Sequence, residues 1–140
     1  MEIRPYQASD EAAVIELWQR CELTRPWNDP HKDIARKMAV QPELFFVGTQ
    51  DGQVVASAMA GFDGHRGWVN YLAVHPRWQR QGLARQVMRH VEQALQAMGC
   101  PKLNLQVRTG NLQAMAFYEA MGYGQDEVIS LGKRLISDKH

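Results

Sequence analysis

Little in this chain points to a membrane, a nucleic acid or an oxidising environment. Two cysteines, Cys21 and Cys100, are too few for a disulfide framework and fit a reducing compartment. A formal net charge of +1 offers no bulk attraction to a polyanion or an acidic lipid surface. No apolar run approaches the roughly 20 residues of a spanning helix. Met1-Glu2-Ile3-Arg4 lacks the basic and then apolar leader of a secreted protein. The five histidines show no metal-ligand spacing with each other or with the cysteines, so no metal is expected. Neither cysteine has a histidine arranged to activate it, which argues against a thiol nucleophile. A Walker lysine and a Gly-x-Gly-x-x-Gly loop are also missing, which excludes the common nucleotide-binding modules. The expectation is one cytoplasmic domain over residues 1–140, long enough to bury a core without staples.

What is present centres on residues 71–85. An apolar run over 69–74 is stopped by Pro76. A polar turn follows, with Trp78 its one apolar residue. From Gly82, Leu83, Ala84, Val87, Met88, Val91, Leu95 and Met98 recur at helical spacing. The pattern predicts a strand, a tight turn and a helix N-terminus in one unit. Such a terminus carries unpaired N–H groups and partial positive charge, and small residues at Gly82 and Ala84 let a phosphate come close. Alone, the same pattern also describes an ordinary strand-to-helix connection.

The rest of the chain supplies its neighbours. A strand over 3–6 precedes a helix over 10–20 bearing Val14, Leu17 and Trp18 on one face, with Cys21 following. Asp29-Pro30 starts a second helix carrying Ile34, Lys37 and Met38, which Pro42 bars from continuing. Strands over 44–48 and 54–62 flank the Asp51-Gly52 turn, and 63–67 turns into the strand 68–74. The long helix stops at Gly99 before Pro101. A strand over 103–107 follows that crossover and so runs parallel to 68–74. Asn111 caps a helix with Ala114, Met115, Phe117, Tyr118 and Met121, ended by Gly122. A closing strand is expected over 128–135 and a polar tail over 137–140.

This order resembles the GNAT superfamily of acetyl-CoA-dependent N-acetyltransferases over almost the whole chain. Leu72-Ala73-Val74-His75-Pro76, the loop Gln79-Arg80-Gln81-Gly82-Leu83-Ala84 and the series Asn111, Tyr118, Gly122-Tyr123 carry the resemblance. It implies an α/β GNAT fold: a mixed, mostly antiparallel sheet, one central parallel strand pair splayed to admit acetyl-CoA, and about four helices. Gln79, Arg80, Gln81, Gly82, Leu83, Ala84 and Arg85 would bind the cofactor, the N–H groups of Gln81 to Ala84 holding the pyrophosphate and Arg80 or Arg85 touching its phosphates. The backbone around Leu72, Ala73 and Val74 would run beside the pantetheine. A bulge near Tyr71–Leu72 would aim an N–H at the thioester oxygen. Asn111, first a helix cap, would also bind the pantetheine amide, and Tyr118 would protonate the departing thiolate.

The acceptor side is less defined. The strand 68–74 contains no carboxylate, and Gln106 stands where members acting on protein N-termini often carry one, so no general base is assigned. Asp63 and His65 in a turn, and Trp27 in the loop 23–30, are the substrate-side candidates; a turn and a core clasp are their plainer roles. The implied activity is direct transfer of acetyl to a primary amine of a small molecule or an exposed protein amine. A non-catalytic acyl-CoA-binding sensor or interaction domain on the same fold is the alternative. The implied partners are acetyl-CoA and an amine acceptor, without nucleic acid or membrane, and a homodimer is left open.

Overall fold

The computed structural model describes residues 1–139. Its elements are β1 (Glu2–Pro5), α1 (Glu11–Arg20), α2 (Pro30–Met38), β2 (Phe45–Gln50), β3 (Gln53–Phe62), β4 (Gly67–Val74), α3 (Leu83–Ala97), β5 (Leu103–Asn104) and α4 (Leu112–Ala120). Three-residue 3₁₀ turns lie at Ala8–Asp10, Pro42–Leu44 and Pro76–Trp78. The five strands stand in chain order. The first four pair antiparallel, and β5 runs parallel to β4.

Local signals account for most boundaries. Asp51 and Gly52 both take positive φ (51° and 77°), the geometry of a two-residue hairpin whose twist matches its strands. The Asp29 carboxylate accepts from the His31 and Lys32 N–H groups, and Pro30 follows as the first helical residue. Asn111 likewise accepts from Ala114 N. Bidentate contacts of 2.8 and 3.0 Å from Arg4 to the buried Asp10 tie β1 to the start of α1.

Each face of the sheet carries its own core. Val14, Leu17 and Trp18 of α1 and Ile34 of α2 pack with Phe45, Val47 and Ala73. On the opposite face Val87, Met88, Val91 and Leu95 of α3 pack with Phe46, Val55, Ala58, Ala60, Val69 and Val74. At about 1.5–3 kcal/mol per large apolar side chain buried, these two layers dominate the favourable terms. Among the described residues, no helix is long and apolar enough to cross a membrane.

Two expectations need correction. The strand expected over 103–107 is only Leu103–Asn104, and the closing strand expected over 128–135 does not form. Residues 125–139 are instead fastened by side chains: Asp126 to Lys102 and Asn104, Ser130 to Gln106, and Asp138 to Arg36. Val128, Ile129, Leu131, Leu135 and Ile136 face solvent. Apolar residues adjacent at 128 and 129 break the period-two pattern that would bury one face of a strand. The parallel pair therefore ends the sheet in the described residues. The expected polar tail is also anchored, since Asp138 is buried; His140 lies outside the described residues.

Candidate active site

The backbone of β4 changes sides partway along. The Gly67 N–H donates to Lys102 O at 2.8 Å, toward β5, whereas the His75 N–H donates to Val55 O at 2.8 Å, toward β3. In a regular strand, alternate residues face alternate neighbours, so positions 67 and 75 would face the same one. An extra residue reverses the parity. Ser57 pairs with Ala73 and Met59 with Asn70, leaving Tyr71 and Leu72 opposite Ala58 alone. The side chains show the same slip: Val69 belongs to the α3 core, and Tyr71 packs with the α1–α2 core. This is the bulge expected near Tyr71–Leu72.

Beyond the bulge, the alternation turns the Leu72 and Val74 backbone away from β3 and the Ala73 backbone toward it. Pairing of β4 with β5 is confined to Gly67–Leu103 and Trp68–Asn104. The strands are thus joined at one end, and the edge of β4 carrying Leu72 and Val74 has no ladder partner among the described residues. The Val74 carbonyl already accepts from Gln79 Nε2 at 3.0 Å and from Cys21 Sγ at 3.2 Å. Burial pushes the Cys21 thiol up, so it stays protonated.

At the open end, α3 begins. Gly82 is its N-cap at φ 79°, and Arg80 also has a positive φ of 64°. The first helical bond runs from Gln86 N to Gly82 O at 3.1 Å, which leaves the N–H groups of Leu83, Ala84 and Arg85 without helical acceptors. A left-handed residue followed by right-handed ones converges successive N–H groups into an anion-binding hollow. A Cβ on Gly82 would touch nothing within 4 Å, so backbone conformation rather than space favours glycine there. Gln79, Arg80 and Gln81 are exposed around this hollow, Ala84 and Arg85 are partly exposed, and Leu83 is buried beneath it. None of Arg77, Arg80, Arg85 and Arg89 belongs to an ion pair among the described residues.

Asn111 and Tyr118 lie two turns apart on α4, which packs against the α3 core. The Asn111 oxygen serves the cap, and its amide nitrogen remains as a donor. Tyr118 is half-buried edge-on between Phe117 and Tyr123, at 5.0 and 5.7 Å between centroids. Burial pushes its phenol up to about 12, so the proton is present at physiological pH. Tyr123 is fixed in turn by a 2.5 Å hydrogen bond to Glu92.

The substrate-side candidates separate. Trp27 is exposed, with the Arg108 guanidinium 6.0 Å from its ring centroid, which links the α1–α2 loop to the segment leading into α4. Asp63 and His65 sit in the β3–β4 turn, beyond the paired end of β4, and the four residue steps from Gly67 to Tyr71 alone put about 13 Å between that end and the bulge, at about 3.3 Å per residue. The Asp63 carboxylate accepts from the Arg66 and His65 N–H groups, which hold it below the usual carboxylate range. The structure does not bring these two to the bulge.

Two residues at the site escaped the sequence reading. Ser57 donates to the Tyr71 carbonyl at 2.8 Å, and Trp18 Nε1 donates to Ser57 at 2.9 Å. A lone serine inside Val54-Val55-Ala56-Ser57-Ala58-Met59-Ala60 was the available signal.

Known proteins similar to this chain agree on its family. The acetyltransferase (GNAT) family model matches residues 12–123. An acetyltransferase of Yersinia enterocolitica is 49% identical over 139 residues, covering 99% of each chain. The ribosomal-protein-S18-alanine N-acetyltransferase of Escherichia coli superposes at a TM-score of 0.75 with 29% identity, covering 89% of this chain and 78% of that one. At 18% identity, an aminoglycoside antibiotic 6′-N-acetyltransferase from Acinetobacter haemolyticus shares the fold, with a TM-score of 0.77 over 97% of this chain and all of its own. The protein is an acetyltransferase, and it belongs to the GNAT family.

Proposed function

We propose that the chain moves acetyl from acetyl-CoA directly to a primary amine, of a small molecule or exposed on a protein, at the open edge of β4. The observation that carries this reading is the parity reversal at Tyr71–Leu72 beside the free N-terminus of α3. It sets an unpaired strand edge next to an anion hollow, an arrangement suited to a ligand with an amide-bearing arm and a pyrophosphate. The four unpaired arginines fit the charge of such a ligand.

Bound acetyl-CoA supplies a thioester carbonyl for the amine to attack and a thiolate to leave. The protein's residues supply the rest. The N–H groups from Gln81 to Ala84 hold phosphate oxygens. The Leu72 and Val74 backbone groups align the arm as an added strand, helped by the Asn111 amide. The Leu72 N–H meets negative charge developing on the carbonyl oxygen. As the carbon–sulfur bond breaks, the Tyr118 hydroxyl gives its proton to the sulfur and is later reprotonated by solvent. The attacking nitrogen loses its proton to water; β4 offers no carboxylate for this. The loop around Trp27 borders the acceptor side. Relatives acting on a protein alanine and on an aminoglycoside support an amine acceptor of either size.

The reading is tested with an amine panel, following free thiol release, beside calorimetric binding of acetyl-CoA. Tyr118→Phe is expected to lower kcat about a hundredfold while binding acetyl-CoA as the wild type does. Tight binding without turnover on any amine would favour a sensor instead. No binding would overturn the reading.

A further inference from the structure

The bulge of β4 needs an explanation of its own. Tyr71 holds φ at 55°, a left-handed conformation that a bulky residue keeps only when its surroundings impose it. Three contacts do so. Ser57 Oγ binds the Tyr71 carbonyl at 2.8 Å. The Trp18 indole stacks on the Tyr71 ring, with centroids 3.7 Å apart and planes 10° apart. The Tyr71 hydroxyl donates to Asp33 at 2.7 Å.

The direction of the first contact is unambiguous. An indole nitrogen only donates, so Trp18 Nε1, 2.9 Å away, must use the Ser57 oxygen as acceptor. The hydroxyl proton of Ser57 is then committed to the Tyr71 carbonyl. Both side chains are fully buried, at 0% exposure, so no water competes for the bond between them. Across the flat trans peptide joining Tyr71 to Leu72, the C=O and N–H point in opposite directions. Pinning the carbonyl toward β3 therefore aims the Leu72 N–H into the gap beside β5. An apolar residue at 57 would leave the Tyr71 carbonyl, which the bulge takes out of the ladder, without its donor, so the pair fixes the conformation of this peptide as well as filling space.

We infer that Trp18 and Ser57 form a positioning relay, one step removed from the reacting atoms, that orients the Leu72 N–H toward the acetyl oxygen. The inference rests on the acetyl-transfer reading above. It gives a serine inside β3 and a tryptophan on α1 a part in the chemistry without contact with either substrate.

The test uses carbon-13-labelled acetyl-CoA bound to the protein without acceptor, so that the infrared carbonyl band reports the hydrogen bond directly. Ser57→Ala is expected to move the band toward its position in free acetyl-CoA. It should lower kcat by roughly ten- to a hundredfold, short of deleting an oxyanion donor outright, and leave acetyl-CoA affinity within about threefold. Trp18→Phe keeps the stacked ring and removes only the N–H, so it should shift the band in the same direction by less; it also serves if Ser57→Ala fails to fold. The double variant should be no worse than Ser57→Ala, because the two residues act in series. Val91→Ala, in the α3 core, should lose stability and keep the wild-type band. An unmoved band in both relay variants, with kcat within about twofold of wild type, would overturn the inference while leaving acetyl transfer intact. A wild-type protein that does not bind acetyl-CoA at all would instead fail the underlying reading.

Discussion

The middle of β4 and the segment 125–139 both depart from a regular ladder, and they are held in opposite ways. At the bulge, the odd residue is clamped from inside by Trp18 and Ser57, both inaccessible to solvent. Along 125–139, the backbone makes no ladder and is tied to the sheet edge by charged and amide side chains. Its apolar residues point outward, Leu131 being 91% exposed. Bonds shielded from water fix direction, whereas an exposed ion pair such as Lys102–Asp126 holds position only loosely, the buried Asp138 at the end of the segment being the exception. In the proposed reading, the donor side of the cleft is built on the first region. The border near Trp27 and α2 is shared with the second.

The sharpest way to break this comparison is to truncate one residue from each region. Trp18→Ala should cost about 3–5 kcal/mol, since it empties a fully buried indole site and removes the donor to the Ser57 oxygen. Leu131→Ala should change stability by less than about 0.5 kcal/mol, as a surface substitution away from any anchor. Urea denaturation of the two variants reads the difference. Comparable losses would mean that 125–139 is packed in solution rather than exposed.

A smaller effect should come from one substitution made at two glycines. Gly82→Ala places a side chain on a left-handed cap, and should cost roughly 1 kcal/mol and weaken acetyl-CoA binding. Gly132 has open space around it and no positive φ. Gly132→Ala should therefore be neutral or stabilising by up to about 1 kcal/mol, through a less flexible unfolded chain. Opposite signs in thermal melts would support the contrast; a loss at Gly132 would count against an unconstrained segment.

The same contrast explains what could be read without coordinates. The hairpin at Asp51-Gly52, the caps at Asp29 and Asn111, and the stop at Gly99 are decided within a few residues, so local chemistry announces them. The bulge near Tyr71–Leu72 followed from the resemblance, the hollow at Gly82 already from the turn-to-helix pattern, and both stand where expected. The Trp18–Ser57 bond was not legible, because it joins residues 39 apart and an isolated serine in a strand does not name its partner. The closing strand was misread for a related reason. Composition at 128–135 favours a strand, but whether a strand finds a ladder depends on β5, which ends at Asn104. Ion pairs from Asp126 and Asp138 are also decided across the fold.

Asp138 allows the gentlest test. Its carboxylate is 1% exposed, bound to Arg36 at 2.5 Å and to Arg134 at 3.0 Å, and it accepts from the Asp29 N–H at 2.8 Å. Arg36 above all, then the Asp29 N–H, hold it well below the usual carboxylate range. A depressed folded-state value means that the stabilisation is present above the unfolded value near 4 and is lost as pH falls through the lower one. Protection of the amides over residues 134–139, taken relative to the intrinsic exchange rate at each pH, should therefore fall in acid. Acid also weakens the Arg4–Asp10 pair, whose carboxylate is likewise held low by Arg4, so pH alone does not isolate the clasp. Asp138→Asn does so at neutral pH by removing the charge and keeping the shape. It should raise exchange at 134–139 and around Asp29 while leaving α1 and β3 protected. Unchanged exchange at both places would mean that the segment is fixed by something other than this carboxylate, and that the two regions are held more alike than their contacts indicate.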